Sequence, residues 1–173
     1  MSREIKRERR QLRIAEKNAI HLKSNKAYET LKGELLKTDL PITTEDSTLC
    51  YLSDRAKNFC YKTESIYIFD PKLYKVIICP NQTGGVELYR FEIYKTGEGL
   101  GNHLLTLISS IAITSNIEIT LIIGAVGSVQ TGTRRNDVDE DGLRKFYHRN
   151  GFRRNSTDIK WSNRKELDEF WSK

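Results

Sequence analysis

Three residue types are scarce in this 173-residue chain, and each scarcity closes an option. The three cysteines, Cys50, Cys60 and Cys79, are odd in number and show no C-x-x-C spacing. That argues against a disulfide framework or a zinc ribbon and leaves them as small core hydrophobes. The three histidines, His21, His103 and His148, are scattered, with no H-E-x-x-H arrangement to collect a metal, so no metal is expected. Proline occurs three times and never before Pro41. Long apolar runs are missing too: "LLTLISSIAI" and "ITLIIGAVG" are too short to span a bilayer, and "MSREIKRERR" lacks the apolar core of a signal peptide. A cytoplasmic protein with no membrane partner is expected.

What is present is a soluble composition, 38% apolar and 30% charged, of a length that suits one domain, as a monomer or a homodimer. The net charge of +6 is unevenly placed. Residues 1–37 hold eleven Lys/Arg against five Glu, whereas residues 38–173 hold eighteen of each sign. Across the first segment, Ile5, Leu12, Ala15, Ala19, Leu22, Ala27, Leu31 and Leu35 recur at three- and four-residue intervals, which predicts a helix interrupted near "KSNK". Its first part, "REIKRERRQLRIAEK", is charged nearly all round and reads as a basic arm that projects before packing begins. Arg3, Lys6, Arg7, Arg9, Arg10, Arg13 and Lys17 suit an anionic macromolecule such as RNA, DNA or an acidic protein, bound in a salt-sensitive way. A solvated helix with internal ion pairs is the alternative.

Residues 38–173 then read as an α+β domain of mixed, mostly antiparallel sheet flanked by helices. "STLCYL", "YKTESIYIFD", "KLYKVIICP" and "GVELYRFEIY" are rich in β-branched and aromatic residues and are parted by turn-forming segments, among them Asn81 to Gly85. A helix follows at "NHLLTLISSIAITSN", then a buried strand at "IEITLIIGAVG" and a polar loop, "SVQTGTRRNDVDED". The helix "DGLRKFYHRN" stops at Gly151, a residue suited to a left-handed cap. One more strand, "FRRNSTDIKWS", and a last amphipathic helix, "RKELDEFW", complete the chain.

Between the strand "ELYRFEIY" and the helix stands "KTGEGLGNHLL", with glycines at 97, 99 and 101. Glycine inside an element costs roughly 0.5–1 kcal/mol relative to alanine, so these three need either a tight turn or a close visitor. A strand, a glycine turn and a helix start can hold phosphate, because first-turn N–H groups point outward and the helix dipole favours negative charge. A Rossmann site is disfavoured, since G-x-G-x-x-G is not matched.

"TGEGLGNHLL" and, some forty residues on, "FYHRNGF" together resemble motifs of the GNAT superfamily of N-acetyltransferases, an R/Q-x-x-G-x-G/A loop and an F-Y-x-x-x-G-F helix end. The resemblance covers roughly Val86 to Trp161. It implies that the backbone of Gly97, Glu98, Gly99, Leu100, Gly101 and Asn102 holds the pyrophosphate of acetyl-CoA. It implies also that the strand end at Phe91, Glu92, Ile93 and Tyr94 borders the pantetheine arm. Tyr147 is then the general acid that protonates the departing thiolate, with packing against Phe146 and Phe152 as the alternative. The sequence departs from the pattern at Thr96, where Arg or Gln is usual, at Glu140, where Asn is common, and in lacking a V-x-P segment before the loop.

An amine must be neutral to attack a thioester, so a carboxylate is needed as base. Glu87 and Glu92 are the candidates. Their odd spacing places them on opposite strand faces, and Glu92 is preferred for its nearness to the loop. Three functions follow: an acetyl-CoA-dependent N-acyltransferase acting on an amine of a macromolecule or small molecule, a non-catalytic CoA- or partner-binding relative, or a basic nucleic-acid-binding protein.

Overall fold

One helix, α1, runs unbroken from Arg3 to Leu35. The computed structural model describes residues 3–52, 58–95, 97–123, 140–154 and 160–173. Along α1, residues 4–23 are all exposed, and burial begins at Ser24 and continues through Tyr28, Leu31 and Leu35. The interruption expected near "KSNK" does not occur, because that tetrapeptide is where the helix docks. Ser24 Oγ accepts the Gly84 N–H at 3.1 Å, and the Lys23 side chain lies over Gly84. Serine and asparagine lose only a few tenths of a kcal/mol to better helix formers, less than such a docking contact supplies.

The strands are β1 (Ile42–Leu52), β2 (Asn58–Asp70), β3 (Tyr74–Pro80), β4 (Val86–Ile93), β5 (Ile119–Ile122), β6 (Arg153–Arg154) and β7 (Lys160–Ser162). They form one sheet in the order β1-β2-β3-β4-β5-β7-β6. Every pairing is antiparallel except β4 with β5. The helices α2 (Leu100–Thr114), α3 (Glu140–Arg149) and α4 (Arg164–Trp171) complete the described fold, the mixed and mostly antiparallel α+β class that the sequence predicts. The last strand differs: "FRRNSTDIKWS" supplies two short antiparallel strands, β6 and β7. Of the strand expected over "IEITLIIGAVG", β5 takes Ile119–Ile122, and residues 124–139, which include the end of that segment and most of the expected polar loop, lie outside the described residues, as do Thr96 and the side chains of Cys50 and Cys60. Cys79 is buried.

The core lies on one sheet face, where Ile66, Ile68, Val76, Ile78, Val86, Leu88, Ile119 and Leu121 meet Tyr28, Leu31 and Leu35 of α1 and Leu104, Leu105 and Ile108 of α2. The alternation that selects this face slips once. Ile77 pairs with Arg90 while Ile78 pairs with Leu88, so Tyr89 is an extra residue in β4, a β-bulge. Before the bulge Val86 and Leu88 face the core; after it Phe91 and Ile93 do. This overturns the parity expected from sequence. Glu87 and Glu92 share the other face, and there Glu92 meets Arg90 at 3.2 Å and accepts the Tyr94 hydroxyl at 3.4 Å, each two residues away.

On α1, Tyr28 donates to Glu64 of β2 at 2.9 Å, and Lys32 reaches the same carboxylate at 2.9 Å. Lys32, and after it Tyr28, holds the Glu64 carboxyl below its ordinary range. Its contribution to stability is therefore complete above the unfolded value, about 4.3, and is lost as pH falls through the folded one. Glu64→Gln is expected to lower the melting temperature slightly at neutral pH, by an exposed ion pair's worth of about 0.2–1 kcal/mol. The gap between variant and parent should close in melting curves taken at successively lower pH. A gap that stays constant into acid would mean that ionisation of Glu64 contributes nothing.

Candidate functional site

The three glycines of the loop serve two different ends. Gly97 and Gly99 have φ of +92° and +70°, left-handed conformations that side chains resist, and a Cβ on either would meet nothing within 4 Å. Turn geometry alone requires them, and the space above them is open. Gly101, inside the first turn of α2, is required by close approach: a Cβ there would stand 3.2 Å from Ile93 and 3.7 Å from Phe146. Gly99 caps α2 without any side-chain hydrogen bond, and the first turn carries no acidic residue. The leading N–H groups of a helix have no intrahelical acceptor, so here they face an open, electropositive mouth. Glu98 is the one nearby negative charge in the turn, exposed and paired with Lys95 at 2.8 Å.

Behind this mouth the described β4–β5 pairing ends early. The parallel pairing of β4 with β5 consists of Val86 with Ile119 and Glu87 with Thr120, and β4 continues six residues beyond it to Ile93. The bulge at Tyr89 follows the last pair closely, and the bend it puts into β4 accompanies the parting of the strands. Beside the far end of β4 lie the rings of α3. Phe91 is 6.1 Å from Phe146 and 6.5 Å from Tyr147, and Tyr147 is 5.9 Å from Phe152.

"FYHRNGF" places these rings by ending α3 in a Schellman motif. Gly151 adopts φ +87°, its N–H bonds the His148 carbonyl at 3.2 Å, and the Phe152 N–H bonds the Tyr147 carbonyl at 3.0 Å. Phe152 then folds back onto Tyr147, the apolar contact that accompanies this cap. Asn150 ties the cap to the glycine turn: its Nδ2 donates to Asn102 Oδ1 at 3.0 Å, so Asn102 braces α2 against α3. Burial pushes the Tyr147 phenol well above its ordinary range, which keeps it protonated through neutral pH. Its hydroxyl has no hydrogen-bond partner among the described residues.

The chain matches no known family model and no curated protein. Among solved structures, the crystal structure of anti-CRISPR protein AcrVA5 is similar to it, with a TM-score of 0.41 and 14% identity over 54% of this chain and 93% of that one. Likeness at that level carries no argument about function. The residues themselves must carry it.

Of the expected site residues, Phe91, Ile93, Gly101, Asn102 and Tyr147 come together around the α2–α3 junction, with Gly97, Gly99 and Leu100 at the mouth. Glu92 stands apart from Tyr147, on the sheet face away from the core, and Tyr94 shares its carboxylate. Burial first, and then the Glu92 charge, raises the Tyr94 phenol. Glu87 is 5% exposed and belongs to the last β4–β5 pair before the strands part. Sequence reasoning missed the bracing role of Asn150. It also missed a hollow of about 440 Å³ along α3, lined by Arg144, Lys145, His148, Arg149 and Trp161. The i, i+1, i+4, i+5 spacing of those four basic side chains was the available signal, since it puts them on one helix face.

Gly151→Ala is expected to cost about 1–2 kcal/mol, the penalty of a left-handed side chain, and to lower the melting temperature by about 3–6 °C. The new Cβ would also stand 2.7 Å from Glu166 Cγ. Gly151→Asn should be the milder change, because asparagine tolerates this conformation. Equal melting temperatures for alanine and glycine at this position would overturn the assignment of the cap.

Proposed function

We propose that the chain is an acetyl-CoA-dependent N-acyltransferase of the GNAT kind. The observation that carries this reading is the β4–β5 ladder, which among the described residues ends after two residue pairs and is followed, at the end of β4, by an uncapped, acid-free helix start behind left-handed glycines. The residues present fit a pyrophosphate at that mouth: the space over Gly97 and Gly99 is open, and the N–H groups of Leu100, Gly101 and Asn102 have no intrahelical acceptor. The pantetheine arm would then run along β4 past Ile93 and Phe91.

Acetyl-CoA, when bound, supplies an acyl group activated as a thioester. The acceptor amine must lose a proton as it forms its bond to the acyl carbon, and the leaving sulfur must gain one. Glu87 and Glu92 lie on the same sheet face, away from the core, and Glu87 is preferred as base only for its place along β4. The reacting thioester lies at the end of the pantetheine remote from the pyrophosphate, and Glu87 stands where the strands part. Glu92 is five residues, about 15 Å, nearer the mouth. Tyr147, protonated and buried beside Phe91, is the proton donor to sulfur. A second reading, CoA binding without transfer, rests on the enclosure of Tyr147 by Phe91, Phe146 and Phe152. The exposed arm suits a macromolecular acceptor that carries negative charge.

Acetyl-CoA should raise the melting temperature of the parent by mass action, and Gly99→Glu should abolish the shift while Gly99→Ala, strained but without bulk, retains it. Tyr147→Phe and Glu87→Gln should each lower turnover about a hundredfold or more with little change in acetyl-CoA affinity, and Glu92→Gln should leave turnover nearly intact. Thiol release with candidate amine acceptors measures this. A full thermal shift with no thiol release for any acceptor would favour binding without transfer, and no shift at all would remove the loop as the cofactor site.

Deleting residues 2–17 should leave the acetyl-CoA shift unchanged, because the loop and both strands lie after Val86. It should weaken binding to an anionic acceptor and flatten the salt dependence of that binding. Titrations of both chains at low and physiological salt decide the point. Equal slopes would mean that the arm carries no phosphate or carboxylate contacts.

A further inference from the structure

The exposed part of α1 carries a basic line and an apolar line within a mostly charged surface, with Ile14 and Ile20, also exposed, off both. Lys6, Arg10, Arg13 and Lys17 each stand eighteen residues, five helical turns, before Ser24, Tyr28, Leu31 and Leu35, the side chains that bury α1 in the domain. The basic stripe thus continues the line that packs against the body. Ile5, Leu12, Ala15, Ala19 and Leu22 occupy the opposite side, at first and fourth heptad positions, and face away from the body. Ile5 is 42%, Leu12 61% and Leu22 69% exposed, on a line about 26 Å long that also holds Ala15 and Ala19.

We infer that two copies of this chain pair through these arms as an antiparallel two-helix coil. The direction follows from charge. A parallel pair would oppose Glu8 to the partner's Glu8 in the seam and Lys26 to the partner's Lys26. Antiparallel pairing sets Ile5 across from the partner's Leu22, Leu12 across from the partner's Ala15 and Glu8 across from the partner's Ala19. It also brings Arg9 beside the partner's Glu16, and by two-fold symmetry Glu16 beside the partner's Arg9. Because the seam faces away from each domain, the partner's arm lies along it unobstructed, and the partner's domain comes beyond residue 3. Both basic stripes remain outside the coil, so pairing doubles the cationic surface rather than consuming it. An anionic lipid surface fits less well, since Glu4, Glu8 and Glu16 border or interrupt the apolar face. The inference does not depend on acyl transfer.

Sedimentation equilibrium of the full chain tests it. The parent is expected to be a dimer that dissociates on dilution, as a short seam containing two alanines should. Leu12→Gln with Leu22→Gln, both exposed and both conservative of helix and of basic charge, should give a monomer with an unchanged melting temperature at low concentration. Arg9→Glu alone and Glu16→Arg alone should each weaken the dimer, and the two together should restore it. A parent that is monomeric at every concentration overturns the pairing, and so does a dimer indifferent to the glutamine changes. Failure of the double charge exchange to restore association overturns the antiparallel direction, because in a parallel coil Arg9 would meet Glu4 instead.

Discussion

The separation of β4 from β5 is the constraint on which the rest of the site depends. A parallel pair inside a mostly antiparallel sheet needs a crossover, and α2 is that crossover, so its first turn is obliged to begin at the end of β4. The bulge at Tyr89 bends β4 just past the last paired residues, and the two strands diverge instead of continuing as a ladder. Past that point β4 has no ladder partner in β5 among the described residues, and it leads into a helix start. Phe91 and Ile93 would face away from the core were the alternation uninterrupted. With the bulge they turn toward it and meet Phe146 and Gly101.

Helix ends do the remaining positioning. Both α2 and α3 finish with a left-handed residue followed by a buried apolar one, Asn116 with Ile117 and Gly151 with Phe152, and in each the following N–H reaches back to a carbonyl five residues earlier. Such caps satisfy orphan carbonyls and set the exit direction of the chain. In α3 the consequence reaches the site, because the cap fixes Phe152 against Tyr147 and places Asn150 within reach of Asn102. Three rings thereby hold the tyrosine in an apolar enclosure, and that burial raises its phenol above the ordinary range.

The arm obeys a different balance. For its last three turns α1 is stabilised by tertiary burial; for the nearly six turns before them it relies on propensity and intrahelical pairing. The charge excess concentrated there is harmless to the domain, whose own charges are balanced. The basic line and the docking line coincide around the helix because one repeat of eighteen residues spans five turns, so an anionic ligand on the stripe would approach on the same side as the body.

Much of this was written in the chain itself. Local chemistry sufficed for the helical character of residues 3–35, though not for its continuity through "KSNK", for the turn at Asn81 to Gly85 and for the cap at Gly151, because each depends on side chains within one or two turns of sequence. Period and composition likewise made the antiparallel strands legible. The bulge at Tyr89 was half legible: in "VELYRFEIY" the apolar positions slip from Val86 and Leu88 to Phe91 and Ile93, with Arg90 breaking the alternation, but only pairing with β3 decides where the extra residue is accommodated. That single register shift moved Glu87 and Glu92 onto one face and Phe91 toward Tyr147. The docking of "KSNK" on Gly84, the bracing of Asn102 by Asn150 and the end of the β4–β5 ladder were beyond sequence reasoning, since each joins residues far apart in the chain whose approach is determined by packing of the whole sheet.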